Sequence, residues 1–496
     1  PNPALPTGLD TLTAMSSSAA PLTTCTLTSR CERTNFESAA ETSPLAMFSL
    51  LAPAHAVDQS RAPLEIVCVV DRSGSMGGNK IMLMKKTLSL LVSRGGMDAR
   101  DKLGVVTFDD TVSTVLPLTA MDPAGRAKAS SVIDAISIGG TTNLSGGLLQ
   151  GLDMLCRSAN NETLDDAADG DGEAAVMVSE ASRTCLLFTD GRANAGITQR
   201  EQLLEAASGV LKGVAGVMIY TFGYGDDHDE DMLRDLAKQS TGLFYHVDQP
   251  DAIPAAFADC MGGLVSTVAQ NATLELVAPG GRKRSVSIAG VVGDAYKSEL
   301  SDDGSRLTLQ LGDLYADDAK DVLLRLKLAA LAEPAPEPQV AVEGVLRYYN
   351  VATKRIEEAT AVLAIARPAE APTEPADIQL DEQRNRCEVA AVIELATSKA
   401  DAGDIAAGRA LLEEAVTKLS RTASCDTPLS RALVGDLRRL ALDYEDARVY
   451  RSCGSKRSKG SAMCHAQQRS TPMTSAGEVY SAGLSRKCSM SSSFKD

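Results

Sequence analysis

Leu64 to Val70 is apolar at every position except Glu65 and runs straight into Asp71-Arg72-Ser73-Gly74-Ser75-Met76-Gly77. A run with no polar alternation demands cover on both faces, which is the environment of a central strand in a parallel sheet. The strand then stops in a turn that carries one carboxylate and two hydroxyls. In open α/β sheets the carboxyl edge of the strands is where ligands sit. Asp71, Ser73 and Ser75 bring no His or Cys with them, so the set is hard oxygen, suited to Mg²⁺ or Mn²⁺ rather than Zn²⁺.

The chain has 496 residues, more than one core holds, and roughly three domains of about 150 residues are expected. Residues 1–45 are dominated by Ser, Thr, Pro and Ala and read as a flexible lead-in. Residues 46–268 alternate strand with helix, Ala46–Pro53 serving as an edge strand. Leu103–Phe108, Thr184–Thr189 and Val217–Phe222 repeat the buried-strand pattern, and Ile81, Met84, Leu88 and Leu91 recur at helical spacing between two of them. An acidic surface loop, 160–182, interrupts the alternation; it lacks the ligand spacing of a calcium loop. Residues 269–367 change to short alternating strands separated by Gly, Pro and Asp turns, which is the pattern of a β-sandwich. A proline-spaced linker, 368–384, leads to a helical hairpin or bundle over 385–447. A basic, Ser-rich tail, 448–496, shows little apolar periodicity and is expected to be mostly disordered. The expected class is α/β: a doubly wound, mostly parallel sheet followed by a β-sandwich and a C-terminal helical segment.

Charge and composition narrow the partners. A formal net charge of −16 argues against general affinity for nucleic acid or anionic membrane. No apolar run reaches the ~18 residues of a membrane span. The first residue is Pro1 rather than Met, so a RING finger or signal peptide upstream is left open. Eleven cysteines, with no CxxC pair, fit scattered reduced thiols better than a disulfide framework. The sequon at Asn143 falls in a loop assigned below to the metal site, where a glycan would block access. Both signals favour an intracellular, cytoplasmic location.

If the Asp71 turn holds a metal, other strand ends must contribute. The segment Gly139-Gly140-Thr141-Thr142-Asn143-Leu144 precedes a helix expected from about Leu148, and Thr189-Asp190-Gly191 ends the next buried strand. Asp-x-Ser-x-Ser, then Thr, then Asp, in that order, resembles the metal-ion-dependent adhesion site of the von Willebrand factor type A domain. The resemblance spans about Leu64 to Val268. It implies the ligand set Asp71, Ser73, Ser75, Thr142 and Asp190, with Thr142 chosen over Thr141 because the family's Thr precedes the next helix's first apolar residue by six positions. It also implies bound Mg²⁺, with Mn²⁺ or Ca²⁺ as alternatives, and a partner protein whose Asp or Glu completes the shell. Read one by one, Asp71 and Ser73 could equally be helix caps and Asp190 a turn former.

Enzyme readings are weaker. The Asp71 turn lacks the second Asp of an aspartyl-phosphate site, neither serine lies in a GxSxG elbow, and the four histidines have no ligand spacing. The flanks Arg61–Met76, Phe222–Ala237 and Gly242–Val247, with Ala466–Thr471 near the C-terminus, resemble plant-type proteins that join a RING finger to this domain. Inter-alpha-trypsin-inhibitor heavy chains are more distantly similar. No Cys/His array with zinc spacing is visible, since Cys25 and Cys31 stand alone. The expected function is therefore non-enzymatic, cation-dependent protein binding. The alternatives are the substrate-recognition part of a RING-type ubiquitin ligase and a secreted adhesion protein.

Overall fold

The computed structural model describes residues 23–54, 61–94, 96–166, 181–190, 192–214, 216–225, 228–247, 252–279, 285–469, 474 and 477–480. The first two strands there, β1 (Thr26–Cys31) and β2 (Leu45–Leu51), pair antiparallel. Next come β3 (Leu64–Asp71), α1 (Asn79–Arg94), β4 (Lys102–Phe108), β5 (Val112–Ala120), α2 (Pro123–Ala135) and α3 (Leu144–Asp166). They are followed by β6 (Ser182–Thr189), α4 (Arg200–Leu211), β7 (Val217–Tyr224), α5 (Glu230–Lys238), β8 (Phe244–Val247) and α6 (Ala252–Val265).

Strands β3 to β8 form one sheet in the order β5-β4-β3-β6-β7-β8, parallel throughout except for the β5 edge. All eight positions of β3 are buried, because helices cover both faces. The strand order reverses beside β3, so β4 leads away on one side and β6 on the other. At such a switch point the loops diverge above and below the sheet and leave a crevice at the carboxyl ends. That crevice lies where Asp71 ends β3 and Thr189 ends β6.

Seven further strands complete a sandwich: β9 (Thr267–Val277), β10 (Val286–Val291), β11 (Lys297–Leu300), β12 (Arg306–Tyr315), β13 (Ala319–Leu328), β14 (Ala335–Asn350) and β15 (Arg355–Arg367). One sheet runs β1-β2-β13-β10 and the other β11-β12-β9-β14-β15. Their facing side chains, Phe48, Leu274, Leu309, Leu324 and Leu346 among them, share one core. The Ala46–Pro53 segment, expected at the edge of the parallel sheet, pairs instead with β1 and β13. The parallel-sheet domain is thus inserted between strands of the sandwich, which begins well before residue 269.

Two expectations of disorder are corrected. Within the 1–45 lead-in, Thr26–Cys31 is a strand and Phe36 is buried. Its Ser and Thr residues obscure the pattern, but Leu27 and Cys31 face the core and backbone pairing supplies the order. In the 448–496 tail, α10 (Ala447–Val449) and a π-helical turn lead into α11 (Ser455–Gln467), and α12 (Gly477–Tyr480) follows. Helix α11 is covered nearly all round, by α7 (Ile378–Asp401), by α9 (Pro428–Asp443) and by α5 and β8 of the inserted domain. Helix α8 (Ile405–Leu419) packs between α7 and α9. An amphipathic pattern presupposes a solvent face; α11 has almost none and is held by charge pairs. Lys459 Nζ meets Glu230 at 3.2 Å, Asp231 at 3.0 Å and Asp401 at 3.0 Å. Arg469 donates to the hydroxyls of Tyr220 at 3.2 Å and Tyr315 at 2.8 Å. The acidic loop 160–182 is helical in α3 up to Asp166, and residues 167–180 lie outside the described residues, as do 1–22 and 481–496.

Candidate metal site

The Asp71 turn is built by its own backbone. Asp71 Oδ1 accepts from Ser73 N at 2.8 Å, and Oδ2 accepts from Thr189 Oγ1 at 2.6 Å, which ties β3 to β6 across the switch point. Gly74–Met76 is a short 3₁₀ turn. Ser73 precedes it, yet its side chain makes no capping hydrogen bond. Its hydroxyl lies 3.1 Å from Ser75 Oγ instead, and Ser75 Oγ donates to Asp190 Oδ1 at 2.9 Å. Capping therefore does not account for Ser73.

The second loop is bound to the first by its main chain. Gly74 N donates to Gly140 O at 2.9 Å and Gly139 N to Arg72 O at 2.7 Å. Gly139 must be glycine, since a Cβ there would stand 1.7 Å from Asp109 Oδ2. Asp109 organises this corner: it accepts from Thr111 N and Oγ1, each at 2.8 Å, and pairs with Arg72 at 2.8 Å. Burial opposes its charge, but the bonds from Thr111 and Gly140 and the Arg72 guanidinium hold its carboxyl below the ordinary value. Thr142 is buried, whereas Thr141 is exposed. Thr142 N donates to Asn194 Oδ1 at 2.7 Å, and Thr142 O accepts from Asn194 N at 3.1 Å and Ala195 N at 3.2 Å, so the loop after β6 fixes it. Helix α3 begins at Leu144, not near Leu148. Asn143 Oδ1 caps its first turn through Gly146 N at 3.0 Å, and a Cβ on Gly147 would lie 2.5 Å from the Phe108 ring. The paired glycines that read as loop are there for close packing.

The five residues named by the sequence thus sit on three loops joined to one another by hydrogen bonds. Asp71, Ser73, Thr142 and Asp190 are buried, while Gly74 and Ser75 face solvent. Burial, helped by the neighbouring Asp190, pushes the Asp71 carboxyl above its ordinary value against the bonds from Ser73 and Thr189. Two buried carboxylates side by side ask for a cation. Lys80, from the first turn of α1, supplies one, its ammonium pairing with Asp190 Oδ2. Nothing in the sequence marks Lys80, Asn194 or Asp109 for this work: Lys80 is an ordinary helix-start residue, and Asn194 acts through Thr142's backbone.

The donor set fits a small divalent ion. An octahedron of oxygens at about 2.0–2.1 Å from its centre has edges of about 2.8–3.0 Å. Ser73 Oγ and Ser75 Oγ, 3.1 Å apart, lie close to such an edge, and the 2.9 Å bond from Ser75 Oγ to Asp190 Oδ1 sets a carboxylate behind them. Among the described residues no group of three His, Cys, Asp or Glu is placed to hold a metal. None of the helices described is long and apolar enough to cross a membrane.

Comparison with known proteins bears on the same region. Residues 65–259 match the model of the von Willebrand factor type A domain. The E3 ubiquitin-protein ligase WAV3 of Arabidopsis thaliana is 26% identical over 277 residues, covering 55% of this chain and 32% of the ligase. Inter-alpha-trypsin inhibitor heavy chain H1 of Bos taurus is 28% identical over 178 residues, covering 36% of this chain and 18% of that protein. The chain therefore spans a third or less of the length of these relatives. Among solved structures, a von Willebrand factor type A protein from Catenulispora acidiphila superposes with a TM-score of 0.64 at 16% identity, covering 89% of this chain and 99% of that one. At that identity the likeness is one of fold, and it takes in the sandwich and helices as well as the inserted domain.

Proposed function

Residues 65–259 form a von Willebrand factor type A domain, and from that premise we propose that this chain is a divalent-cation-dependent protein-interaction module that engages an Asp or Glu of a partner protein. Ser73, Ser75 and Thr142 would hold the ion through their hydroxyls, with Asp71 and Asp190 behind them. Once bound, the ion supplies a Lewis-acidic coordination place for the partner's carboxylate. The observation that carries this reading is the close approach of Ser73 Oγ and Ser75 Oγ, backed by the bond from Ser75 Oγ to Asp190 Oδ1, on a turn that Ser73 does not cap with its side chain. The chain's own residues do the rest. Asp71 locks the turn, Asn194 and Asp109 lock the Thr142 loop, and the exposed Gly74–Ser75 edge leaves room for a partner. An all-oxygen set favours Mg²⁺, with Mn²⁺ next; Ca²⁺ asks for more ligands than these loops offer.

The module has no catalytic step of its own in this reading. Ten cysteines are free among the described residues, seven of them buried, which suits a reducing, intracellular compartment. The similarity to the plant ligase extends over 277 residues, more than the type A domain alone, and it favours one second reading: the chain recognises substrates for a ubiquitin ligase. Pull-down with and without EDTA, followed by a test for ubiquitin-conjugating enzymes in the eluate, separates the two.

Calorimetry with MgCl₂ tests the site directly. Asp71→Ala and Ser73→Ala should abolish Mg²⁺ binding while leaving the far-UV circular dichroism nearly unchanged. Saturating Mg²⁺ should stabilise the wild type by about 2.7 kcal/mol at a hundredfold excess over its dissociation constant. Unaltered Mg²⁺ affinity in both variants refutes the assignment.

A further inference from the structure

Far from the metal loops, a cavity of about 290 Å³ lies between the outer face of the β1-β2-β13-β10 sheet and α7, closed at one side by Ala466 at the end of α11. Val292, Leu323 and Ala390 give it an apolar wall. Arg386 also lines it, only 2% exposed, and its guanidinium is unusually placed. Nε donates to Gln383 Oε1 at 2.6 Å, Nη1 to His465 O at 2.7 Å and Ala466 O at 3.1 Å, and Nη2 to Asp321 O at 3.0 Å. That leaves one Nη2 hydrogen unassigned, and no carboxylate among the described residues pairs with the charge. The carbonyls at the end of α11 offset part of it. Asp321, the nearest acid on the sheet, spends its carboxylate on Ser49 Oγ and Gln468 Nε2. The Tyr296 hydroxyl, in the same lining, is buried and has no hydrogen-bond partner.

A buried guanidinium supported by Asp321 only through space, with no carboxylate in contact, and a buried hydroxyl without a partner would each gain from a ligand carboxylate within reach of both. Asp294 and Glu394 also border the cavity. Asp294 is exposed and pairs with Lys238, whereas burial, with Asp294 beside it, pushes the Glu394 carboxyl above its ordinary value. A ligand with a second negative charge would meet repulsion there. At about 30 Å³ for each water-sized group, the volume holds roughly ten non-hydrogen atoms. Pockets of this kind, apolar with a few convergent polar groups and set between structural units, are where small molecules bind.

We propose that this cavity binds a small monocarboxylic acid, its carboxylate held by Arg386 and Tyr296 and its apolar body against Val292, Leu323 and Ala390. The site is independent of the metal loops. Octanoate, with the right number of heavy atoms, is the probe.

Calorimetry of the full chain with octanoate and with octan-1-ol, in EDTA, gives the test. Octanoate should bind at one site at least tenfold more tightly than the alcohol. Tyr296→Phe should weaken it about three- to tenfold. Ala391→Phe, which fills the cavity from an exposed helix position and leaves the bonds of Arg386 in place, should remove it. Arg386→Lys should lose most of the preference for acid over alcohol; if that variant fails to fold, the other two still decide. Absence of saturable octanoate binding to the folded wild type overturns the proposal, as does equal affinity for the alcohol or binding unchanged in both Tyr296→Phe and Ala391→Phe.

Discussion

Lys80→Met should make the metal site bind Mg²⁺ more tightly. The Lys80 ammonium pairs with Asp190 Oδ2, while Asp190 Oδ1 takes the Ser75 hydroxyl at 2.9 Å. A divalent ion held by the same loops must share the Asp190 carboxylate with that ammonium or displace it. Two unit charges about 4 Å apart interact by about 4 kcal/mol at an effective dielectric of about 20. Lys80 is 29% exposed and Asp190 fully buried, so solvent screens one end of the pair. Exposed pairs contribute about 0.2–1 kcal/mol and breaking a fully buried one costs about 3–5 kcal/mol, which brackets this pair at about 1–2 kcal/mol. At about 1.4 kcal/mol per factor of ten, removal of the competing ammonium should tighten Mg²⁺ roughly 5- to 30-fold. The methionine keeps the apolar stem, which passes Gly225 closely enough that a Cβ there would lie 3.1 Å from Lys80 Cε. Without metal the variant should be less stable by a similar 1–2 kcal/mol, because Asp190 is left buried with one donor; saturating Mg²⁺ should restore the loss. Calorimetry with MgCl₂ and urea denaturation with and without Mg²⁺ measure both halves. Equal or weaker Mg²⁺ affinity in Lys80→Met would refute the competition.

Three further outcomes are expected. Glu65→Gln breaks a pair buried at both ends, Glu65 to Arg183 at 2.9 Å, and should cost about 3–5 kcal/mol in urea denaturation while Mg²⁺ affinity in the folded protein stays the same. Stability should fall on acidification below about pH 6.5. Burial, with His246 and Lys456 nearby, lowers the His228 pKa from 6.5 to about 3, so between those values the unfolded chain binds a proton that the native one refuses. Going from pH 6.5 to 4.5, this residue alone should remove about 2–3 kcal/mol, and His228→Asn should flatten that limb of the curve. Lys459→Ala leaves Glu230, Asp231 and Asp401 facing one another without their shared cation; with those carboxylates partly exposed, the cost should be about 1–3 kcal/mol. Limited proteolysis should then release the α11 segment first, and unchanged cleavage would show that the charge cluster does not hold it.

The parallel-sheet domain and its carboxyl-edge turn were legible in the residues alone. A strand such as Leu64–Val70, apolar but for Glu65 and followed by Asp71, Ser73 and Ser75, announces both its burial and its chemistry, because strand period and side-chain type are local properties. The sandwich after residue 269 was legible for the same reason. Non-local partners decided the remainder. Strands β1 and β2 belong to a sandwich whose other members lie more than two hundred residues later, and register with a distant strand leaves no mark on a Ser/Thr-rich segment. Helix α11 looks polar residue by residue, yet it is enclosed because carboxylates of α5, α7 and α9 meet its charges. At the metal loops the sequence named five oxygen-bearing residues, whereas only the fold revealed Lys80 against Asp190, Asn194 holding Thr142, and Ser73 free of a cap. Composition and spacing report what a side chain can do; long-range packing determines which neighbour it does it with.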